Sequence, residues 1–300
     1  MKRIIIALVS LVLCLGAFAQ NKKEKLPSKE MGLQLYSIRT LIGNPELYAK
    51  HHVEVFKKLK SYGYTSVEAA NYKEGKFYGV SPKQYLKDVT DAGLVSLSSH
   101  TSHRLSADEL KNHDFTNALK WWKEAIKAHK EAGLTYIVTP SDHFPKSLEE
   151  AKTLCDYHNE VGKLCKEAGI IYGYHNHSFE FKKIDNSDVV WYDYFLQNTK
   201  PEFVFFQMDV YWCMMAQQSP CEYFKKYPGR FRLLHIKDHY EIGQSGMVGF
   251  DAIFNNAETA GLEHLVVELE GTTSGDIMKG VGECAEYLKN APFVKATYSK

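Results

Sequence analysis

The chain has 300 residues, 44% of them hydrophobic, enough for one large or two small globular domains. Lys and Arg number 37 against 36 Asp and Glu, so the formal net charge is +1, with no basic excess to attract nucleic acid or an anionic membrane. This balance favours a small-molecule partner. After the first 20 residues, no stretch is apolar for the ~20 residues that a membrane span needs.

Residues 1–19 have the three parts of a secretory signal peptide. Lys2 and Arg3 form the charged start, an apolar stretch runs on to Leu15, and "AFA" at 17–19 supplies small residues for cleavage. We therefore expect cleavage near Ala19 and export to the periplasm or the extracellular space. Cys14 leaves a lipid anchor as an alternative, although the small residue that usually precedes a lipidated cysteine is missing.

Residues 20–30 form a polar leader that we expect to be disordered. Over residues 31–290, apolar stretches of strand length alternate with longer amphipathic stretches. Eight strands are predicted, at 32–37, 66–70, 94–99, 135–140, 170–175, 203–209, 231–237 and 264–270. Residues 291–300 are assigned to a C-terminal tail.

The stretches between the strands begin and end like helices. Pro82 occupies a first-turn position, and Ser106 and Ser147 each precede a glutamate by three residues, which is the pattern of a capping box. Eight strand–helix units predict an α/β fold, a single-domain (β/α)₈ TIM barrel. An open doubly wound sheet is the alternative, but no G-x-G-x-x-G follows the first strand.

Polar side chains occur at the carboxyl end of nearly every predicted strand, where the functional residues of a barrel lie. They are Gln34, Tyr36, Glu68, His100, Asp142, His143, His175, His177, Glu180, Asp209, His235, Lys237, Glu268 and Glu270. A single His or Glu there is more often structural or solvated. Asp, His and Glu on three consecutive strands, however, would need something to neutralise them. A divalent cation does so, and this mixture suits Mn²⁺, Mg²⁺, Co²⁺ or Zn²⁺.

Five ordered motifs resemble the xylose isomerase-like TIM-barrel family, also called sugar phosphate isomerase/epimerases. They are "GLQLYSIR", "YHNHSFEF", "FQMDVYW", "LLHIKDH" and "VVELEG". The resemblance implies a divalent metal, with Mn²⁺ as our first expectation, held at the ends of strands 5 to 8. The matching positions on strands 6 to 8 are Asp209, His235 and Glu268, and Glu270 lies further out on the same strand face.

Strand 5 departs from this family, which has a glutamate near the position of His175. We expect His175 to complete the metal coordination or to act as a base beside the metal, with His177 and Glu180 holding the substrate or orienting ligands. The alternative leaves three metal ligands and gives this segment only hydrogen-bonding roles. Trp212 is a second departure, since sugar epimerases of this fold often have a substrate-contacting histidine there. We expect its aromatic face to pack against a ring.

The implied chemistry is removal of a proton beside a sugar carbonyl, with the metal stabilising an enediolate. The expected catalytic residues are Glu268 and a histidine, His175 or His177. Residues expected to bind the substrate are Gln34, Glu68, His100, Glu180, Trp212 and Lys237. The partner is a small sugar or glycoside, and a homodimer is common in the family.

Three alternatives to an isomerase or epimerase remain. Unequal basicity of His and Glu also suits a 3-keto-glycoside lyase or hydratase. The altered strand 5 could mark a non-catalytic sugar-binding protein. A DNA-repair endonuclease branch shares the fold, but the predicted export and the balanced charge disfavour it.

Overall fold

The computed structural model describes residues 28–299. The predicted signal peptide, its cleavage site and residues 20–27 of the predicted leader lie outside this range. Residues 28–30, which we assigned to a disordered leader, instead pack against the C-terminal part of the chain. Lys29 is buried, and its ammonium donates to the carbonyl oxygens of Leu288, at 3.0 Å, and Ala291, at 2.5 Å. These two acceptors compensate the buried ammonium for its lost hydration.

Eight parallel strands close into a single barrel, which confirms the predicted fold. In chain order they are β1 Gly32–Gln34, β2 Ser66–Ala69, β3 Val95–His100, β4 Tyr136–Thr139, β5 Ile171–His175, β6 Val204–Asp209, β7 Leu233–Ile236 and β8 His264–Val267. Pairing of β1 with both β2 and β8 closes the ring. β1 ends earlier than predicted because the Gln34 side chain accepts the backbone N–H of Tyr36, which starts a 3₁₀ turn.

The connections between the strands are mostly helical. In chain order they are the 3₁₀ turn Leu35–Ile38, the α-helices Arg39–Ile42, Pro45–Tyr62, Pro82–Asp91, Ala107–Asn112, Thr116–Glu131 and Leu148–Glu167, the 3₁₀ turn Phe179–Phe181, and the α-helices Trp191–Asn198, Val210–Met215, Pro220–Lys226, Phe250–Asn255, Ala257–Ala260 and Ile277–Asn290. The capping box at Ser106 is complete. At Ser147 only half of it forms, because the Glu150 carboxylate accepts from the Lys146 backbone instead. Within residues 28–299, no helix is long and apolar enough to cross a bilayer.

The barrel interior is built in layers by the two-residue period of the strands. An apolar layer of buried side chains fills it toward the amino ends of the strands, and includes Phe205, Leu233 and Val266. Two residues further along the chain from these stand Gln207, His235 and Glu268, and two further still Asp209, Lys237 and Glu270. Of these six, Lys237 directly follows β7, and Glu268 and Glu270 follow β8. The apolar layer therefore closes the barrel beneath a polar layer, which faces the carboxyl ends of the strands.

Candidate active site

Four buried side chains meet where β5, β6, β7 and β8 end. One potential ligand atom from each of His175, Asp209, His235 and Glu268 lies within 4.8 Å of all the others. None of the four is more than 5% exposed. The structure thus brings together the four residues for which metal binding was predicted, and we call them the metal cluster.

Two atoms of the metal cluster, Nδ1 of His175 and Oδ2 of Asp209, lack a hydrogen-bond partner, and Nδ1 of His235 has only a long contact, 3.4 Å, with Glu268 Oε2. A buried polar atom left unpaired costs about 1–3 kcal/mol. Burial, together with the nearby Glu268 carboxylate, also raises the pKa of Asp209 to about 7 despite the opposing pull of Lys237. Unpaired atoms and crowded carboxylates are what a cation would satisfy, so this donor set fits a divalent metal.

Glu68 lies in the barrel interior and supports His235. Its Oε1 accepts from Gln34 Nε2 at 2.7 Å and from His235 Nε2 at 2.6 Å. Its Oε2 accepts from Gln207 Nε2 at 2.9 Å and from the Ser98 hydroxyl. Since Glu68 occupies Nε2, the atom that His235 has left for a metal is Nδ1.

Glu68 and Gln34 were predicted to bind the substrate, but the structure places both outside the lining of the cavity. Both side chains are fully buried and hydrogen-bonded to one another. Burial raises the pKa of Glu68, but His100 and His235 outweigh burial and bring it down to about 2. An ionised carboxylate with this many donors has no capacity left for a ligand, so its role is to orient histidines.

The histidines of the site differ in protonation. Burial lowers the pKa of His177 to about 4 and that of His175 well below its usual value, so both are neutral at pH 7. Burial also acts to lower the pKa of His235, yet Glu68 and Glu268 outweigh it and raise the pKa to about 10. A metal at His235 therefore competes with a proton.

Residues 175–177, at the end of β5, alternate in role. The first and third line the cavity, and the one between them supports β6. His175 and His177 line the cavity, whereas Asn176 is fully buried and fixes the end of β6. Its Oδ1 accepts from the Asp209 backbone N–H at 3.2 Å, and its Nδ2 donates to the Asp209 carbonyl at 3.3 Å. Sequence reasoning missed Asn176, although its place between two site histidines puts it on the opposite strand face.

Glu180, which was expected to hold the substrate or to orient ligands, is not among the residues that line the cavity. It is fully buried, with Oε1 accepting from the Tyr174 hydroxyl at 3.0 Å and Oε2 from the His177 backbone N–H at 2.9 Å. It therefore positions His177. Asp142, from the end of β4, also lies away from the cavity and pairs with buried His158 at 3.1 Å.

Three other predicted substrate residues surround the metal cluster. His100 lines the cavity, with Nε2 held 2.8 Å from Gln207 Oε1. The Lys237 ammonium lies 3.1 Å from Glu268 Oε2 and 4.9 Å from the centre of the Trp212 ring. Lys237 is only 2% exposed, so a substrate reaches it only past these neighbours.

A cavity of about 530 Å³ opens above the metal cluster at the carboxyl end of the barrel. His100, His175, His177, Glu268 and Glu270 are among the residues that line it. One wall is formed by Tyr36, which the sequence had indicated, and by Asn71, Tyr72 and Lys73, which sequence reasoning missed. Tyr72 and Lys73 form the first strand of a short hairpin, Tyr72–Lys73 and Lys76–Phe77. The sequence feature that indicates its turn is Gly75, which has a φ of +77°.

Comparison with known proteins agrees with this architecture. The family model for the xylose isomerase-like TIM barrel matches residues 56–291. Two crystal structures of sugar phosphate isomerase/epimerases from Parabacteroides distasonis ATCC 8503 are similar in sequence and fold. One is 39% identical, with a TM-score of 0.80 over 91% of this chain and 97% of that one. The other is 35% identical, with a TM-score of 0.81 over 89% and 100%.

More distant structures share the fold alone. An L-ribulose 3-epimerase is 12% identical, with a TM-score of 0.66 over 86% of this chain and 92% of that one. No curated protein matches this chain. The matched family model and the two Parabacteroides structures establish that the chain belongs to the xylose isomerase-like TIM barrel family.

Proposed function

We propose that this protein is a divalent-metal-dependent sugar isomerase or epimerase that removes a proton next to a carbonyl. The observation that carries the proposal is the metal cluster at the floor of a cavity that also holds His177. When bound, the cation supplies Lewis-acid stabilisation of negative charge on the substrate oxygens. His175, Asp209, His235 and Glu268 would hold it.

His177 is the side chain best suited to take the proton. It lines the cavity and its Nδ1 has no hydrogen-bond partner, so this nitrogen can face a C–H bond of a bound sugar. Glu180 holds its backbone in place. Glu268 supplies a second group at the cavity wall, held by Lys237, and would handle the proton on another face of the sugar.

The cavity lining favours a neutral sugar or glycoside. Among the described residues that line the cavity, Lys73 is the one lysine or arginine. Lys237, beneath it, is already paired with Glu268 at 3.1 Å and Glu270 at 3.0 Å. A phosphate group normally needs more donors than this. We also propose that the protein is exported, because residues 1–19 resemble a signal peptide, and that it forms a homodimer.

A lyase or hydratase acting on 3-keto-glycosides is the second candidate. The observation that favours it is that the two candidate proton-transfer groups differ in charge. His177 is a neutral imidazole, whereas Glu268 is a carboxylate. Attraction by His235 and Lys237 overcomes the effect of burial and holds the pKa of Glu268 well below its usual value. In an elimination, His177 would remove the proton beside the ketone and the resulting imidazolium would pass it to the departing oxygen, since the ionised Glu268 carboxylate has no proton to give.

The test is solvent exchange. The protein, residues 20–300, is incubated with Mn²⁺, Co²⁺ or Zn²⁺ in D₂O and a panel of ketoses and 3-keto-glucosides, and the products are analysed by mass spectrometry. Deuterium in recovered or isomerised sugar supports the proposal, whereas aglycone release moves the assignment to the lyase. If neither event occurs although metal is bound, both enzymatic assignments are contradicted and a sugar-binding protein is favoured. Asp209→Asn is the inactive control.

A further inference from the structure

The metal cluster offers equal numbers of nitrogen and oxygen donors, and the residue from β5 is what makes them equal. Two of its four members offer imidazole nitrogen, His175 and His235, and two offer carboxylate oxygen, Asp209 and Glu268. With both carboxylates ionised, their two negative charges equal the charge of one divalent cation. The cluster is therefore charge-neutral when loaded, with half of its protein donors nitrogen.

The local structure of β5 makes His175 its contribution to the metal cluster. Gly173, two residues earlier on the same face, has no room for a side chain, since a Cβ there would lie 2.5 Å from the Phe205 ring. Asn176 is occupied with the Asp209 backbone. His177 lies beyond the four-atom group, at the cavity.

A second grouping of potential ligand atoms joins His100 to His175 and His235. It is the weaker candidate because His100 Nε2 is already engaged, 2.8 Å from Gln207 Oε1 and 3.2 Å from Glu68 Oε1. Either grouping contains His175. The imidazole of β5 is thus common to every metal site that the described residues offer here.

We propose that His175 makes this site selective for a borderline cation, Zn²⁺ or Co²⁺, over Mn²⁺ and Mg²⁺. Imidazole suits Zn²⁺ and related transition metals, whereas Mg²⁺ and Mn²⁺ prefer carboxylate and water oxygens. A carboxylate at position 175 would add a third negative charge and an oxygen donor, both of which favour the harder cations. The inference replaces our expectation of Mn²⁺, and it rests on the proposed function only in using the same metal cluster.

The test measures binding without any sugar. Metal-free protein is titrated with Zn²⁺, Co²⁺, Mn²⁺ and Mg²⁺ in competition with a chelating indicator, and stoichiometry is checked by elemental analysis. Any nitrogen-containing site binds Zn²⁺ more tightly than Mn²⁺, so the informative quantity is the ratio of the two dissociation constants, Mn²⁺ over Zn²⁺. We expect this ratio to fall by roughly tenfold or more in His175→Glu.

His177→Glu is the matched control, because it adds the same charge two residues away and outside the metal cluster, and its ratio should stay at the wild-type value. His175→Gln is a second variant in case His175→Glu does not fold, and it should lose more affinity for Zn²⁺ than for Mn²⁺. An equal ratio in wild type and His175→Glu, an equal shift in His177→Glu, or no stoichiometric binding of any of the four metals overturns the inference. If the ratio behaves as expected but no sugar is turned over, the proposed function fails and the selectivity stands.

Discussion

Oε1 of Glu68 lies 2.6 Å from Nε2 of His235, and neither side chain has any exposed surface. The two residues are 167 positions apart in the sequence and are joined only by closure of the barrel. Because an ionised carboxylate can only accept, the contact fixes a proton on Nε2 and turns Nδ1 toward the metal cluster. Glu68 thereby couples the barrel interior to the site above it.

Replacing Glu68 with Gln should weaken metal binding by about 10–100-fold, because the amide no longer holds His235 as a carboxylate does. It should also lower the free energy of unfolding by about 1–3 kcal/mol, since donors from Gln34, Ser98 and Gln207 lose an acceptor. Chelator competition and urea denaturation measure the two effects. Ser98→Ala removes a different partner of Glu68 and should leave metal affinity nearly unchanged. Equal metal affinity in Glu68→Gln and wild type would show that the contact is only structural.

Asp209 has two separable roles, which two substitutions can distinguish. Its Oδ1 accepts the Trp212 backbone N–H at 2.8 Å and caps the helix Val210–Met215, whereas Oδ2 has no hydrogen-bond partner. We expect both Asp209→Ala and Asp209→Asn to lose the metal. Only the alanine variant should lose the cap as well, at about 0.5–2 kcal/mol.

Elemental analysis after dialysis, with thermal unfolding in EDTA, checks these expectations. In EDTA the asparagine variant should be at least as stable as the wild type, because it keeps the cap and removes a buried carboxylate that lacks a cation. A full equivalent of metal in the asparagine variant would exclude Asp209 as a ligand. We expect His235→Ala to lose the metal too.

His129 should make the protein less stable in mild acid. The ring is fully buried, with Nε2 2.8 Å from the Thr101 hydroxyl and Nδ1 2.6 Å from the Ala125 carbonyl oxygen. Burial lowers its pKa to about 4. The unfolded chain, with an ordinary pKa near 6.5, binds the proton more readily, so stability present above pH 6.5 is lost as the pH falls toward 4. The contribution is on the order of 3 kcal/mol.

Urea denaturation at several pH values between 7.5 and 4.5 measures this effect. In His129→Gln, which retains a donor and an acceptor, the free energy of unfolding should decline less steeply over that window. Other buried histidines, such as His175 and His177, also contribute to the decline, so the difference between variant and wild type is the relevant quantity. Parallel curves for the two proteins would mean that His129 is not held neutral by the fold.

The strand ends could be predicted from sequence because a strand repeats every two residues. Once β6 is recognised, Phe205, Gln207 and Asp209 must share one face, and the last of them must reach the carboxyl end of the barrel. The same reasoning places His235 and Glu268. The eight strands and the closed barrel followed from the same pattern, with strand ends in error by up to three residues, as at β1, where the Gln34 side chain forms a cap.

The pairing among these residues could not be predicted in this way. Glu68 and His235 both stand at strand ends, but which polar residue touches the substrate and which one supports a neighbour depends on barrel closure and burial. Glu180 is a similar case, since its contacts with Tyr174 and the His177 backbone appear only once the loop has folded back. Local pattern predicts position along a strand, whereas hydrogen-bond partners are a property of the closed fold.

Lys237 offers a test of the electrostatics of the site. Its ammonium lies 3.1 Å from Glu268 Oε2 and 3.0 Å from Glu270 Oε2, so it competes with a metal for the Glu268 carboxylate. Lys237→Met keeps the length of the side chain and removes the positive charge. We expect divalent cations to bind roughly tenfold more tightly, because a like charge beside the metal cluster is gone.

Glu270→Gln removes a negative charge from the same pair and should shift metal affinity in the opposite direction by a smaller amount, since Glu270 is partly exposed to solvent. The two variants are compared by chelator competition at two salt concentrations. Because Lys237 is buried, its effect should persist at high salt while that of Glu270 fades. Weaker metal binding in Lys237→Met would reverse our interpretation. It would mean that Lys237 holds Glu268 in the geometry that a metal requires, and that this positioning outweighs the repulsion.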